Sequence, residues 1–178
     1  MSTDQVSLFL ALLALAAQVA TVALVVATIW HRFAPDAGAV AILDAARPAA
    51  LTIAATVAGV ATLGSLYLSE VADFPPCRLC WYQRICMYPL SLILVIAAAR
   101  GDRHVRWYAL PFAAVGAAVS TYHVAVERFP SLESGSCDPT NPCSIIWVEK
   151  LGYLTIPTMA LSGFVLITVL LALPKEAT

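Results

Sequence analysis

Apolar residues in this 178-residue chain gather into five long runs separated by short polar stretches. The runs are Val6 to Trp30, Ala49 to Leu68, Trp81 to Ala99, Trp107 to Val126 and Tyr153 to Leu173. Each approaches or exceeds the roughly 20 residues that a helix needs to cross a bilayer. None alternates polar with apolar, as the strands of a membrane barrel do. In lipid a helix satisfies every backbone group within its own segment, so the pattern predicts five spanning helices. The expected fold class is an all-α integral membrane protein. The first run reads as a retained helix, not a signal peptide. Its leader, Met1 to Gln5, carries Asp4 and no Lys or Arg, and its apolar stretch is longer than a signal core.

Composition agrees: 61% hydrophobic and 12% charged residues exclude an ordinary soluble domain. A net charge of −1 offers no basic footprint for nucleic acid. The partner that composition implies is membrane lipid. Trp30, Trp81, Trp107 and Trp147 all lie at or beside a run end, as do Tyr67, Tyr82, Tyr108 and Tyr153. Such rings favour the headgroup layer.

Charge sets the orientation. The short loop Arg100 to Arg106 is the densest basic cluster and belongs in the cytoplasm. Alternation puts the 31–48 loop and the tail with Lys175 on that side, six Lys or Arg together against four elsewhere. The loops after the second and fourth runs then share the opposite, extracytoplasmic face. Both carry a cysteine pair, Cys77-Arg-Leu-Cys80 and Cys137-Asp-Pro-Thr-Asn-Pro-Cys143, in the compartment where disulfides persist.

Pro75-Pro76 ends whatever precedes it and puts Cys77 and Cys80 in the opening turn of the third helix. Free N–H groups and the positive end of the helix dipole favour a thiolate there. Arg84, one turn deeper on the same face, either holds Cys80 as a thiolate, contacts the oxygen of a bound electron acceptor, or anchors the helix to headgroups. His123 lies near the outer end of the fourth run, at about the depth of Arg84. Its simplest reading is a hydrogen bond between helices. The odd thiol, Cys86, reads as a small hydrophobe. The loop from Glu127 to Gly152 reads as a mobile carrier for the second pair, and Ser144 to Leu151 as a short interfacial helix with Ile145, Trp147 and Val148 in lipid. A four-cysteine zinc site is the rival reading of the C-x-x-C. The five-residue spacing with two prolines in the second pair argues against it, so no metal is expected. A structural staple is a second rival, but so short a loop removes little unfolded-state entropy.

The string Cys77-Arg-Leu-Cys80-Trp-Tyr-Gln-Arg84, with Met87-Tyr-Pro89 after it, resembles the signature of DsbB-type disulfide-bond formation proteins, closest to the short BdbC-like branch. Cys143-Ser-Ile-Ile-Trp147 and Leu154-Thr-Ile-Pro157 are similar to the same branch. The likeness covers residues 49–173, and it implies a four-helix transmembrane bundle plus one additional N-terminal transmembrane helix: residues 1–48 would carry the extra helix and a cytoplasmic loop, and residues 49–178 the bundle with two extracytoplasmic cysteine loops. It implies a thiol:quinone oxidoreductase in a bacterial plasma membrane. A thioredoxin-fold, DsbA-like oxidase would reduce the Cys137–Cys143 disulfide, and electrons would pass through Cys77 and Cys80 to ubiquinone or menaquinone. Arg84, Gln83 and His123 would contact the quinone. A vitamin K epoxide reductase-like enzyme is the neighbouring alternative, but there the loop cysteines precede the membrane C-x-x-C, and here they follow it. The alternative from another class is a scaffold or transporter with inert disulfides, yet runs one, two and five lack the midmembrane charged or helix-breaking pairs of a transporter.

Overall fold

The computed structural model describes residues 2–33, 37–133, 137–138 and 140–173. Five helices are present among them: α1 (Thr3–Phe33), α2 (Ala37–Glu70), α3 (Arg78–Arg100), α4 (Arg106–Arg128) and α5 (Ile156–Ala172). A two-stranded antiparallel hairpin, β1 (Glu149–Lys150) and β2 (Leu154–Thr155), leads into α5. The helices α1 to α4 are each long and apolar enough to cross a bilayer. The 17-residue α5 is shorter and gives about 25 Å of helix.

Helices α2, α3, α4 and α5 close a ring, each packed on the next, with α5 returning to α2. Outside that ring, α1 fills the groove between α2 and α5. Lipid tails give helices no hydrophobic reason to associate, so small residues that let backbones approach decide the contact faces. On α1 the buried face is Ser7, Ala11, Ala14 and Ala17, followed by Leu24 and Ala27. Its opposite face, with Phe9, Val19, Val22, Val26 and Ile29, is exposed and faces lipid. Gly116 of α4 shows the same rule at its limit, because a Cβ there would sit 2.2 Å from the ring of the fully buried Phe164. Polar contacts also pin α1. Gln18 donates to Ser162 Oγ at 2.9 Å and accepts from the Tyr153 hydroxyl at 2.7 Å, while Asp4 pairs with Lys150 of the hairpin.

Two expectations need correction. The 31–48 segment is not a loop over most of its length: α2 starts at Ala37 and runs through Pro48. Residues 37–46 are mainly Ala, Val, Ile and Leu, which propagate helix once tertiary packing supports it. Position 48, between the two expected regions, therefore falls inside α2. The interfacial helix over Ser144 to Leu151 is absent. Residues 149–150 pair with 154–155 instead, and the chain reverses through Leu151 (φ 52°) and Gly152 (φ 76°). A left-handed glycine permits that reversal at no steric cost. The C-terminal tail with Lys175 lies outside the described residues.

Candidate functional site

The α3 N-terminus is organised by a thiol. Cys77 is the N-cap, in extended conformation, and its Sγ accepts from the Cys80 backbone N–H at 3.3 Å. Sulfur thus takes the place that a Ser or Asp oxygen fills in most caps. One turn of helix brings the two sulfurs to 2.9 Å, both as free thiols. The hydrogen bond from Cys80 holds the Cys77 thiol well below its usual pKa range. Burial opposes this, and a hydrogen bond with His123 reinforces it.

His123 is only 3% exposed and touches both cysteine regions. Its Nδ1 lies 2.9 Å from the Gln83 amide nitrogen, which donates to it. That leaves the proton on Nε2, which stands 3.0 Å from the Cys143 carbonyl oxygen and 3.6 Å from Cys77 Sγ. The simple reading of His123 as an interhelical hydrogen bond is therefore right as far as it goes. Beyond it, the ring also links the first pair to the second.

Cys137 and Cys143 form a disulfide with Cα atoms 5.9 Å apart. This removes two of the four thiolates that a four-cysteine zinc site requires. Here the pair is docked on the bundle, at the inner position that the loop reading expects beside the first pair. Cys137 and Cys143 pack in one apolar cluster with Cys77, Leu79 and Val126. Glu133 accepts from the Cys143 N–H at 2.6 Å and from the Ser144 hydroxyl at 2.8 Å. Asn141 donates to the Pro75 carbonyl at 3.4 Å, and Trp147 stacks on Phe74 with ring centroids 5.5 Å apart. The Cys143 N–H and carbonyl thus both find partners inside the protein, as a buried peptide group requires.

The other side of Cys80 is different in kind. A cavity of about 410 Å³ opens there between α1, α2, α3 and α5, bordered by Cys80, Gln83, Arg84 and Tyr88 and otherwise mainly apolar. Arg84 is 9% exposed and is held by protein groups. Its Nε donates to Ser65 Oγ at 3.0 Å and an Nη donates to the Ser65 carbonyl at 2.9 Å. Its guanidinium also lies 5.2 Å from the Trp81 ring centre and 5.9 Å from that of Tyr88. A cation is thereby fixed in a mostly apolar wall beside a thiol. Cys86 is buried in the main helix core and does not border this cavity.

The four paired cysteines, Gln83, Arg84 and His123 thus gather at one end of the bundle. Others there were not foreseen. Ser65 is one more small residue in an apolar run, and nothing local marks it. Glu133 acts through a contact ten residues away. Glu127, which sequence placed at a loop start, is buried on α4 and accepts from Thr155 Oγ1 at 2.6 Å. A recess of about 20 Å³, room for roughly one water, joins it to Cys77, Cys80 and His123. An acid four residues after a histidine, on one helix face, was the available signal.

No solved structure matches the chain. Among curated proteins, disulfide bond formation protein C of Bacillus subtilis is 47% identical over 120 residues, covering 67% of this chain and 87% of the relative. A probable disulfide formation protein C of Bacillus cereus is 46% identical over 111 residues, covering 62% of this chain and 80% of the relative. The family model for disulfide bond formation protein DsbB matches residues 46–174, from within α2 through the end of α5. The chain is therefore a multi-pass membrane protein of the DsbB disulfide bond formation family, with an oxidoreductase role in forming disulfides.

Proposed function

We propose that this protein reoxidises an extracytoplasmic thioredoxin-fold thiol oxidase and delivers the electron pair to a membrane quinone. The observation that carries this reading is the position of the Cys77/Cys80 pair. Cys77 faces His123 and the docked Cys137–Cys143 disulfide, while Cys80 faces the 410 Å³ cavity and Arg84. A quinone is lipid-soluble, takes two electrons and two protons, and leaves as the hydroquinone.

In this reading a partner thiolate attacks Cys137 Sγ and Cys143 leaves as a thiolate. Cys143 then attacks Cys77 Sγ of an oxidised Cys77–Cys80 pair, and Cys80 leaves toward the cavity. The partner's second thiol releases Cys137 and closes the partner's own disulfide. Cys137 recaptures Cys143, freeing Cys77, so the protein holds one disulfide and two thiols. That is the pairing seen here. Reoxidation of Cys77 and Cys80 completes the cycle, and the partner's two electrons and two thiol protons reach the acceptor. His123 Nε2–H steadies the Cys77 thiolate, and Arg84 supplies a fixed cation where negative charge develops on an acceptor oxygen. Both benzoquinones and naphthoquinones, the head groups of ubiquinone and menaquinone, meet these chemical requirements.

Anaerobic mixing of purified protein with a quinone and a reduced thioredoxin-fold partner tests the reading directly. Quinone loss matched one for one by partner disulfide is expected, and inert disulfides with no mixed disulfide would sink it. The assigned side is tested in intact cells. After reduction, an impermeant thiol reagent should reach Cys137 and Cys143, while a Gly101→Cys variant stays protected at that position.

A further inference from the structure

We infer that α1 forms one wall of the acceptor chamber, and that Ala14 and Ala17 set the size of the quinone ring it admits. This rests on the quinone reading above and extends it to a helix that lies outside the family match at residues 46–174. The ring of α2 to α5 leaves a groove between α2 and α5, and α1 lies across it. Leu10, Leu13, Ala14 and Ala17 of α1 border the same cavity as Cys80 and Arg84.

Two contacts fix the register of that wall. Near the outer end, Leu10 lies against Gly64, where an added Cβ would come within 2.9 Å of a Leu10 methyl. The next residue, Ser65, is the one that holds Arg84. Deeper, Gln18 bonds Ser162, whose neighbour Gly163 faces Val57 and Met87 of the same chamber. Ala14 and Ala17 lie between these two fixed levels and are both buried. The wall is held in place by the Asp4–Lys150 pair and the Gln18 contacts with Ser162 and Tyr153. Alanines there leave the space open. Leucine at either position would add three carbons directed at the void.

The test uses purified full-length protein and short-tailed benzoquinone and naphthoquinone acceptors. Ala14→Leu and Ala17→Leu should raise the apparent KM for the bicyclic acceptor by about tenfold or more, a size expected of overpacking. The monocyclic acceptor should be less affected, and Leu13→Ala should shift preference the other way. Thiol–disulfide exchange with the partner, measured without quinone, should stay at the wild-type rate and so reports folding. Independently, a photoreactive quinone should label α1 between residues 10 and 20 in the wild-type protein. If the wild type reduces neither quinone, the functional reading itself falls. If it reduces them but the variants show unchanged preference, or labelling spares α1, then α1 is not the wall and only this inference fails. Should a leucine variant lose exchange as well, the labelling result alone decides.

Discussion

Cys77 and Cys80 are separated by two residues and share the small recess beside His123 and Glu127, yet each also has a neighbourhood of its own. Around Cys77 the chain supplies a histidine, an amide, a backbone carbonyl and a second disulfide, all converging from three segments. Around Cys80 it supplies one cation held by Ser65 and a largely apolar chamber. Sulfur-to-sulfur exchange needs a stabilised thiolate and a leaving sulfur within reach. Reducing a lipid-borne acceptor needs a dry space and a charge placed where an oxyanion forms. One helical turn is enough to set these environments back to back. The comparison predicts that variants on the two sides should damage different half-reactions.

The largest effects should belong to the sulfurs, because each half-reaction of the proposed relay passes through them. Alanine at Cys77, Cys80, Cys137 or Cys143 should abolish steady-state turnover. The halves should still separate: Cys80→Ala should trap a mixed disulfide involving Cys77, while Cys137→Ala should leave quinone reduction by chemically reduced Cys77 and Cys80 intact. Cys86→Ala should retain turnover, since its thiol packs in the helix core. Loss of quinone reduction in Cys86→Ala at normal expression would contradict that placement.

Arg84 should act on the acceptor side alone. Arg84→Lys keeps a charge without the planar fork that grips Ser65 at two points. Arg84→Ala or Arg84→Gln also removes the charge. Apparent quinone affinity should weaken in the lysine variant and further in the other two. The loss should be on the order of 1.5–3 kcal/mol, as for a hydrogen bond to a charged group, or about tenfold and more. Exchange between the two cysteine pairs should be unaffected. Quinone titrations beside single-turnover partner oxidation separate these outcomes, and equal damage to both halves would break the comparison.

His123 should act on the exchange side. In the reduced protein the Cys77 pKa is depressed, so its thiolate is present above the lowered value and is lost as pH falls through it. His123→Ala removes the nitrogen 3.6 Å from Cys77 Sγ and should raise that pKa. Ultraviolet thiolate absorbance should then decline at a higher pH than in the wild type. Exchange should slow most in acidic buffer, with apparent quinone affinity retained, because His123, unlike Gln83 and Arg84, does not border the cavity and so is not placed for the quinone contact that the resemblance implied. His123→Gln should recover part of the loss by restoring a donor.

How much of this was legible beforehand follows the range of the forces involved. Apolar runs and the C-x-x-C are local, so the five helices, apart from the first turns of α2, and the position of the pair at the start of α3 could be read directly. The docking of Cys137–Cys143 depends on Glu133, Asn141 and the Phe74–Trp147 stack, contacts from separate segments that no spacing announces. The missing 144–151 helix is a conflict between apolar periodicity and a glycine two residues from the next strand, and the reversal at Gly152 won. Arg84 could be placed on the right face but not given its partner. Ser65 lies 19 residues earlier on another helix, within an unbroken apolar run.

Ser65 gives the smallest predicted effect and the finest test of the acceptor side. Ser65→Ala removes the hydroxyl that accepts from Arg84 Nε and lies 3.4 Å from the Tyr88 hydroxyl. The Ser65 backbone carbonyl stays, and with it the second contact to the guanidinium at 2.9 Å. Arg84 should therefore keep its place but gain freedom about one remaining hydrogen bond. A single bond to a charged group is worth about 1.5–3 kcal/mol, and the retained carbonyl contact and the Trp81 and Tyr88 rings should absorb part of that. The expected result is a several-fold rise in apparent quinone KM, smaller than for Arg84→Lys, with exchange unchanged. Combining Ser65→Ala with Arg84→Ala should add nothing to Arg84→Ala alone, because the serine acts through the arginine. A double variant clearly worse than Arg84→Ala would give Ser65 its own contact with the acceptor and move the polar end of the chamber from α3 to α2.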